Sequence, residues 1–300
     1  LKIGKVRYGL MLREDGHVMD DGTTARLAEN HYVMTTTTAA AGQVMRHLDF
    51  VHQCLHPEWD VSFISVTEQW AQFSIAGPKS QELVNAVLDK PITSETFPFM
   101  SCASVGVLGE AGRLFRISFS GEHGYEIAVP SRYGESLFRL LVSRAEEIGG
   151  GPYGMEALNV LRLEKGFITH AEIHGRITAF DLGMQRMVSE KKDCIGKTSA
   201  SRPGLLDSDR EQLIALKPVG SVKQITAGAH LFDLNDEPIR QNDKGYVTSV
   251  GFSPTFGHFI GLGFFKGGQS RLGEQIKMVD HLRGIETECE IINTVSFDPK

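Results

Sequence analysis

Two stretches of this sequence combine residue types that can do acid-base or recognition chemistry. The first is Arg13-Glu14-Asp15-Gly16-His17-Val18-Met19-Asp20-Asp21-Gly22, in which a carboxylate pair follows a strand-like run. One member of such a pair can point into a cleft and handle charge or protons, so Asp20 is the candidate, while Asp21 would serve the turn. A solvated turn accounts for the same residues. The second is Arg116-Ile117-Ser118-Phe119-Ser120-Gly121-Glu122-His123-Gly124-Tyr125-Glu126-Ile127, a strand, a turn punctuated by two glycines, and a return strand that brings in Glu126. Read from the residues alone, it is a hairpin with charged residues at its tip.

Other familiar patterns fall short. Gly149-Gly150-Gly151-Pro152 lacks the spacing of a dinucleotide fingerprint and reads as a loop between two helices. Gly196-Lys197-Thr198 has Lys191 where a P-loop needs its first glycine. His170 and His174 stand four apart with Glu172 between them, but the zinc-protease pattern requires glutamate directly after the first histidine. No Gly-x-Ser-x-Gly nucleophile signature is present. No metal site is therefore expected.

These residues must be held by a chain of 300 residues, long enough for two domains and for a core that needs no disulfide staples. With 31 basic against 37 acidic residues the net charge is −6, which supplies no general grip on a phosphate backbone, so nucleic acid is not an expected partner. The longest stretch free of Asp, Glu, Lys and Arg, residues 245–265, holds five glycines and a proline and reads as strand and loop, not as a membrane span. Cys54, Cys102, Cys194 and Cys289 are widely spaced, the pattern of reduced thiols in the cytoplasm. The start, Leu1-Lys2-Ile3-Gly4-Lys5, reads as the cut end of something longer.

Residues 8–34 are expected to form strands joined by turns at Asp15-Gly16 and Asp20-Asp21-Gly22. A helix capped by Thr37 or Thr38 should bury Val44, Leu48, Val51 and Leu55 before Pro57. Residues 61–66 and 70–75 read as a hairpin, and Gly77-Pro78 opens a short helix with Leu83, Val84, Val87 and Leu88 on one side. Two or three strands over residues 102–129 precede a helix that buries Leu137, Leu141, Ala145 and Ile148, and another helix follows the triple glycine. Beyond Arg202-Pro203-Gly204 only short β-like runs remain, which sets a boundary near residue 203: an α+β region over 1–202, and a small all-β domain over 203–300.

Landmarks along the whole chain resemble the folate-binding family of the glycine-cleavage T-protein. They are Tyr8-Gly9-Leu10-Met11-Leu12, Gly16-His17-Val18-Met19-Asp20-Asp21, Ala76-Gly77-Pro78, Phe97-Pro98-Phe99-Met100, Ser120-Gly121-Glu122-His123-Gly124-Tyr125-Glu126-Ile127 and Leu161-Arg162-Leu163-Glu164-Lys165-Gly166, all in register. The resemblance implies the aminomethyltransferase-like α+β fold, with mixed antiparallel sheets and helices and a C-terminal β-barrel. Within the family, Asp181-Leu182-Gly183-Met184, Lys191-Lys192-Asp193-Cys194-Ile195-Gly196-Lys197, Ser253-Pro254-Thr255, Lys266-Gly267-Gly268 and Phe297-Asp298-Pro299 resemble the carboxy-terminal part of heterotetrameric sarcosine oxidase α subunits.

That branch implies an enzyme in which tetrahydrofolate traps the imine made from sarcosine, giving glycine and 5,10-methylenetetrahydrofolate. FAD or FMN and NAD would sit in the rest of the enzyme, and the partners would be the remainder of the α subunit and the other subunits. A free-standing aminomethyltransferase and a folate-binding module without turnover are the alternatives. Carried over residue by residue, Asp20 matches the family's catalytic aspartate, Glu126 its pterin-binding glutamate and Tyr8 an aromatic of the folate pocket. Phe119 stands where the T-protein has Tyr, Arg186 where it has Trp, and Leu158 where it has the Arg that grips the folate tail. Phe119 is thereby assigned to the folate pocket. Arg162, one helical turn beyond Leu158, is expected either at the folate or in an ion pair with a neighbouring carboxylate.

Overall fold

The computed structural model describes residues 1–298, which divide into two compact units: Leu1–Gly9 with Asp21–Gly154, and Leu10–Asp20 with Met155–Asp298. This partition differs from a boundary at residue 203, which lies close to where the strands of the C-terminal barrel begin.

The chain opens with β1 (Lys5–Leu12), β2 (Val18–Ala28) and β3 (His31–Met34), a sheet in that order. The β1–β2 turn is built on Asp15-Gly16: the amide of Arg13 donates to the carbonyl of His17 at 2.9 Å, and Gly16 adopts φ +89°. A Cβ at Gly16 would lie 2.3 Å from the amide nitrogen of Ala200, so glycine is required by contact as well as by conformation. The second expected turn, Asp20-Asp21-Gly22, does not form, because these residues lie inside β2. Gly22 is there for clearance, since a Cβ would come within 2.0 Å of the Thr35 carbonyl oxygen.

Helix α1 (Ala41–Phe50) runs into a π-turn over Val51–Leu55. Its N-cap is Ala40, with no side-chain cap from Thr37 or Thr38, and of the four expected inward residues only Val44 is buried, with Leu55 exposed. The expected hairpin over residues 61–66 and 70–75 is also corrected: residues 61–66 form no strand, and β4 (Trp70–Ala76) pairs antiparallel with β7 (Gly124–Pro130). The physical reason is side-chain matching, for Phe73 and Ile75 of β4 join Tyr125, Ile127 and Val129 of β7 in one core. After the short α2 (Ser80–Asn85), β5 (Cys102–Val107) and β6 (Glu110–Phe115) complete a sheet ordered β4-β7-β6-β5. Helix α3 (Gly134–Glu147) buries Leu137 and Leu141 in the same core.

In the second unit α4 (Met155–Lys165) and the four-residue α5 (Lys197–Ala200) precede β8 (Glu211–Pro218), β9 (His230–Asp233), β10 (Gly245–Ser253), β11 (His258–Lys266), β12 (Gln275–Asp280) and β13 (Ile285–Ile292). The six strands close into a barrel in the order β10-β11-β8-β13-β12-β9. The charge-poor stretch noted in the sequence is the β10–β11 hairpin, paired from Gly245↔Phe265 to Ser253↔His258. The barrel is filled by Ile214, Leu216, Leu231, Val247, Phe265, Ile276, Met278 and Ile291, and closure leaves no open sheet edge there. Among the described residues no helix is long and apolar enough to cross a membrane.

Candidate functional site

Strand alternation decides the roles of the acidic pair. Successive side chains of β2 point to opposite faces, so Asp20 and Asp21 cannot share an environment. Asp20 is completely buried, at 0 % exposure, whereas Asp21 is half-buried and accepts a hydrogen bond from the Tyr8 hydroxyl at 2.7 Å. A solvated turn is thus excluded for Asp20. Full burial within a strand sets Asp20 apart from the solvent-facing residue of a turn. Asp20 and Arg162 belong to the second unit, and Tyr8, Phe119 and Glu126 to the first.

Glu126 is placed by the turn the sequence predicts. After β6, residues 116–123 make an irregular excursion with Gly121 at φ +78°, and β7 then begins at Gly124, where a Cβ would stand 2.9 Å from the Ile75 carbonyl oxygen. The excursion is braced from within. Arg116 donates to the Phe97 carbonyl at 2.8 Å and faces His123 Nε2 at 2.9 Å, while His123 Nδ1 meets the Ser80 hydroxyl at 2.8 Å. Burial and the adjacent Arg116 charge both push the His123 pKa below its ordinary value, so the imidazole stays neutral and accepts the Arg116 donor. Phe119 lies in a bend of this segment, part-exposed, next to a Ser118–Ser120 hydroxyl contact of 2.8 Å.

In β7, Tyr125, Ile127 and Val129 turn into the core, which leaves Glu126 on the other face. It lies opposite Ser74 of β4 and Phe115 of β6, and its carboxylate accepts a hydrogen bond from Gln72 Nε2. Desolvation by burial pushes the Glu126 carboxyl above the usual range, and the Gln72 bond opposes this by favouring the ionised form. The same face carries Tyr153, whose hydroxyl donates to the Ser74 hydroxyl at 3.0 Å, and Trp70, over which the Arg113 guanidinium stacks at 3.8 Å. Gln72, Ser74, Trp70 and Tyr153 were not singled out in the sequence. Their signal is the alternation of β4, which becomes readable only once β4 is paired with β7.

Arg162 is placed in a buried ion pair. It is 3 % exposed, its Nη1 lies 3.2 Å from Oε2 of the fully buried Glu172, and it also donates to Asn159 Oδ1, the Phe167 carbonyl and Ser249 Oγ. Glu172 in turn accepts from the Thr169 amide at 2.8 Å and from the Thr248 and Ser249 hydroxyls at 2.6 Å each. Residues 170–174 form turns and not a helix, so the four-residue spacing of His170 and His174 does not stack them on one face. Among the described residues no cluster of three or more His, Cys, Asp or Glu could hold a metal ion.

Comparison with known proteins adds the following. Residues 1–192 match the GCVT N-terminal domain and residues 212–298 the glycine cleavage T-protein C-terminal barrel domain. Sarcosine oxidase subunit alpha of Rhizobium meliloti (strain 1021) is 46 % identical across the whole chain, which spans 31 % of that relative's length. Sarcosine oxidase subunit alpha of Corynebacterium sp. (strain P-1) is 39 % identical, again over 100 % of the chain and 31 % of the relative. An aminomethyltransferase of Listeria welshimeri is 28 % identical over 98 % of the chain and 76 % of its own length. The crystal structure of aminomethyltransferase T of the glycine cleavage system from Bartonella henselae superimposes with a TM-score of 0.81, covering 99 % of this chain and 77 % of that one at 23 % identity, so the fold is shared.

Proposed function

The chain belongs to the glycine cleavage T-protein family, and from that membership we propose that it performs the folate-dependent one-carbon step of a sarcosine-oxidising enzyme. The observation that carries the reading is Glu126, a half-buried carboxylate on the open face of β7 that accepts a hydrogen bond from Gln72. A pterin presents a ring N–H beside an exocyclic amine, and one carboxylate accepts both. The donor set fits the ligand: Glu126 supplies the acceptor, and Tyr8 and Phe119 supply aromatic surface in the same unit. When bound, tetrahydrofolate supplies the nucleophilic nitrogens that take up the one-carbon unit.

Asp20 supplies a negative charge in a dry setting, where it stabilises positive charge far better than in water and can hold or return a proton. Exclusion of water from such a site keeps the imine from hydrolysing to formaldehyde. The oxidation itself belongs to flavin and nicotinamide sites in the rest of the enzyme, and the working partners are the remaining α-subunit chain and the other subunits, in the cytoplasm. The names of the α-subunit relatives support this branch over the aminomethyltransferase, as do Leu158 and Arg186 at the two positions where the T-protein carries Arg and Trp.

Titration calorimetry with tetrahydrofolate under anaerobic conditions tests the reading. Saturable binding is expected, weakened about tenfold by Glu126→Gln, because an amide offers one acceptor oxygen where two are used. The pH dependence has a definite sign. Recognition needs the ionised carboxylate, and burial raises its pKa, so affinity rises with pH through that raised value and falls below it. The Glu126→Gln protein should show no such rise. Equal affinities for the two proteins at all pH values would overturn the assignment.

A further inference from the structure

Glu126 lies directly opposite Ser74 across the β4–β7 ladder, yet its hydrogen bond goes diagonally, to Gln72. The register explains how. Gln72 stands opposite Ala128, whose methyl group leaves room for a long side chain to lean along the sheet, and diagonal neighbours about 7–8 Å apart are within reach of such a side chain. Ser74, directly opposite, is instead the acceptor of the Tyr153 hydroxyl at 3.0 Å. Among the described residues Gln72 is the side chain that hydrogen-bonds the Glu126 carboxylate.

We propose that Gln72 is a positioning residue for ligand recognition: its amide fixes Glu126 Oε2 so that the carboxylate presents a set plane and two free acceptor directions to a ligand with paired donors. This inference rests on the folate reading of the same site. An ionised carboxylate has about four lone-pair directions, so one bond from Gln72 leaves enough for two parallel N–H donors. Without it the side chain rotates, and its burial is no longer offset by a donor that favours the charged form. Binding then has to order the carboxylate as well as the ligand. Gln72 is exposed and contributes no packing to the core, so this role is separable from folding.

The test is a double-mutant cycle with Gln72→Leu, Glu126→Gln and the pair, read by anaerobic tetrahydrofolate titration and by thermal midpoint. Each single variant should bind about tenfold more weakly, the pair should bind no more weakly than Glu126→Gln alone, and the midpoint of Gln72→Leu should stay at that of the parent. A purely structural part for Gln72 would lower affinity equally in both backgrounds, and that additivity would overturn the inference. Unchanged binding by Gln72→Leu beside weakened binding by Glu126→Gln would overturn it while leaving the folate reading intact. A parent protein without saturable binding, or one matched by Glu126→Gln, would overturn both.

Discussion

An Arg162→Leu protein is expected to lose about 3–5 kcal/mol of stability in the second unit, since removing one partner of a buried pair strands the other. The stranded group is Glu172, at 0 % exposure, and it would retain only hydroxyl and amide donors against a full charge. Burial pushes the Arg162 guanidinium pKa below its ordinary value and Glu172 pulls it back, so the two charges depend on each other. The pair also joins elements distant in sequence: Arg162 lies on α4, and Ser249, which donates to Glu172 and accepts from Arg162, lies on β10. Loss of the guanidinium therefore removes a clasp between helix and barrel. Hydrogen exchange resolved to β10 and α4 should show lost protection in this variant, with the amides of β4 and β7 unaffected. Full protection at β10 would contradict the account. Arg162→Lys should recover only part of the loss, because an ammonium cannot reproduce the fork that reaches Glu172, Asn159, Phe167 and Ser249 together.

The ion pair was one of two expectations for Arg162, and its cause shows where sequence is informative. A basic residue one helical turn past an apolar position and a glutamate ten residues on leave an ion pair open, whereas Ser249 and Thr248 arrive from 76 to 87 residues away and leave no local trace. The strand β10 was legible as the β-like run over residues 246–252, whereas its pairing with β11 was not. The strand and turn around Glu126 were legible, the two glycines marking both ends of the turn. Local composition misled in two places. Asp20-Asp21-Gly22 has the make-up of a turn, but the glycine answers the approach of the Thr35 carbonyl, and the first aspartate is fully buried inside a strand. Residues 61–66 alternate like a strand beside Trp70, yet β4 already has a better-matched partner in β7, 52 residues away at Ser74↔Glu126 by their numbering. The alternation says that a strand exists; it does not say with what it pairs.

The same burial that removed the turn reading gives Asp20→Asn the largest expected effect on chemistry. Asparagine keeps the shape of the side chain and removes the charge, so a structural role, read as lost stability, separates from a catalytic one, read as lost transfer. Asp20 is fully buried in β2, and a role confined to chemistry predicts that the near-isosteric amide leaves the thermal midpoint unchanged. Transfer to tetrahydrofolate should fall by about 10²–10⁴-fold, the usual contribution of a positioned acid-base group. On the proposed sarcosine-oxidising reading, the informative assay follows both fates of the imine in the complete enzyme, as 5,10-methylenetetrahydrofolate and as free formaldehyde. If Asp20 acts on the transfer step alone, sarcosine consumption is unaltered and the carbon is diverted from methylenetetrahydrofolate to formaldehyde. A variant with an unchanged partition would remove Asp20 from the mechanism. A variant that keeps the partition but loses thermal stability would give it a structural part in place of the chemical one, and its hydrogen-bond partners, not the folate, would then explain why a carboxylate is buried in β2.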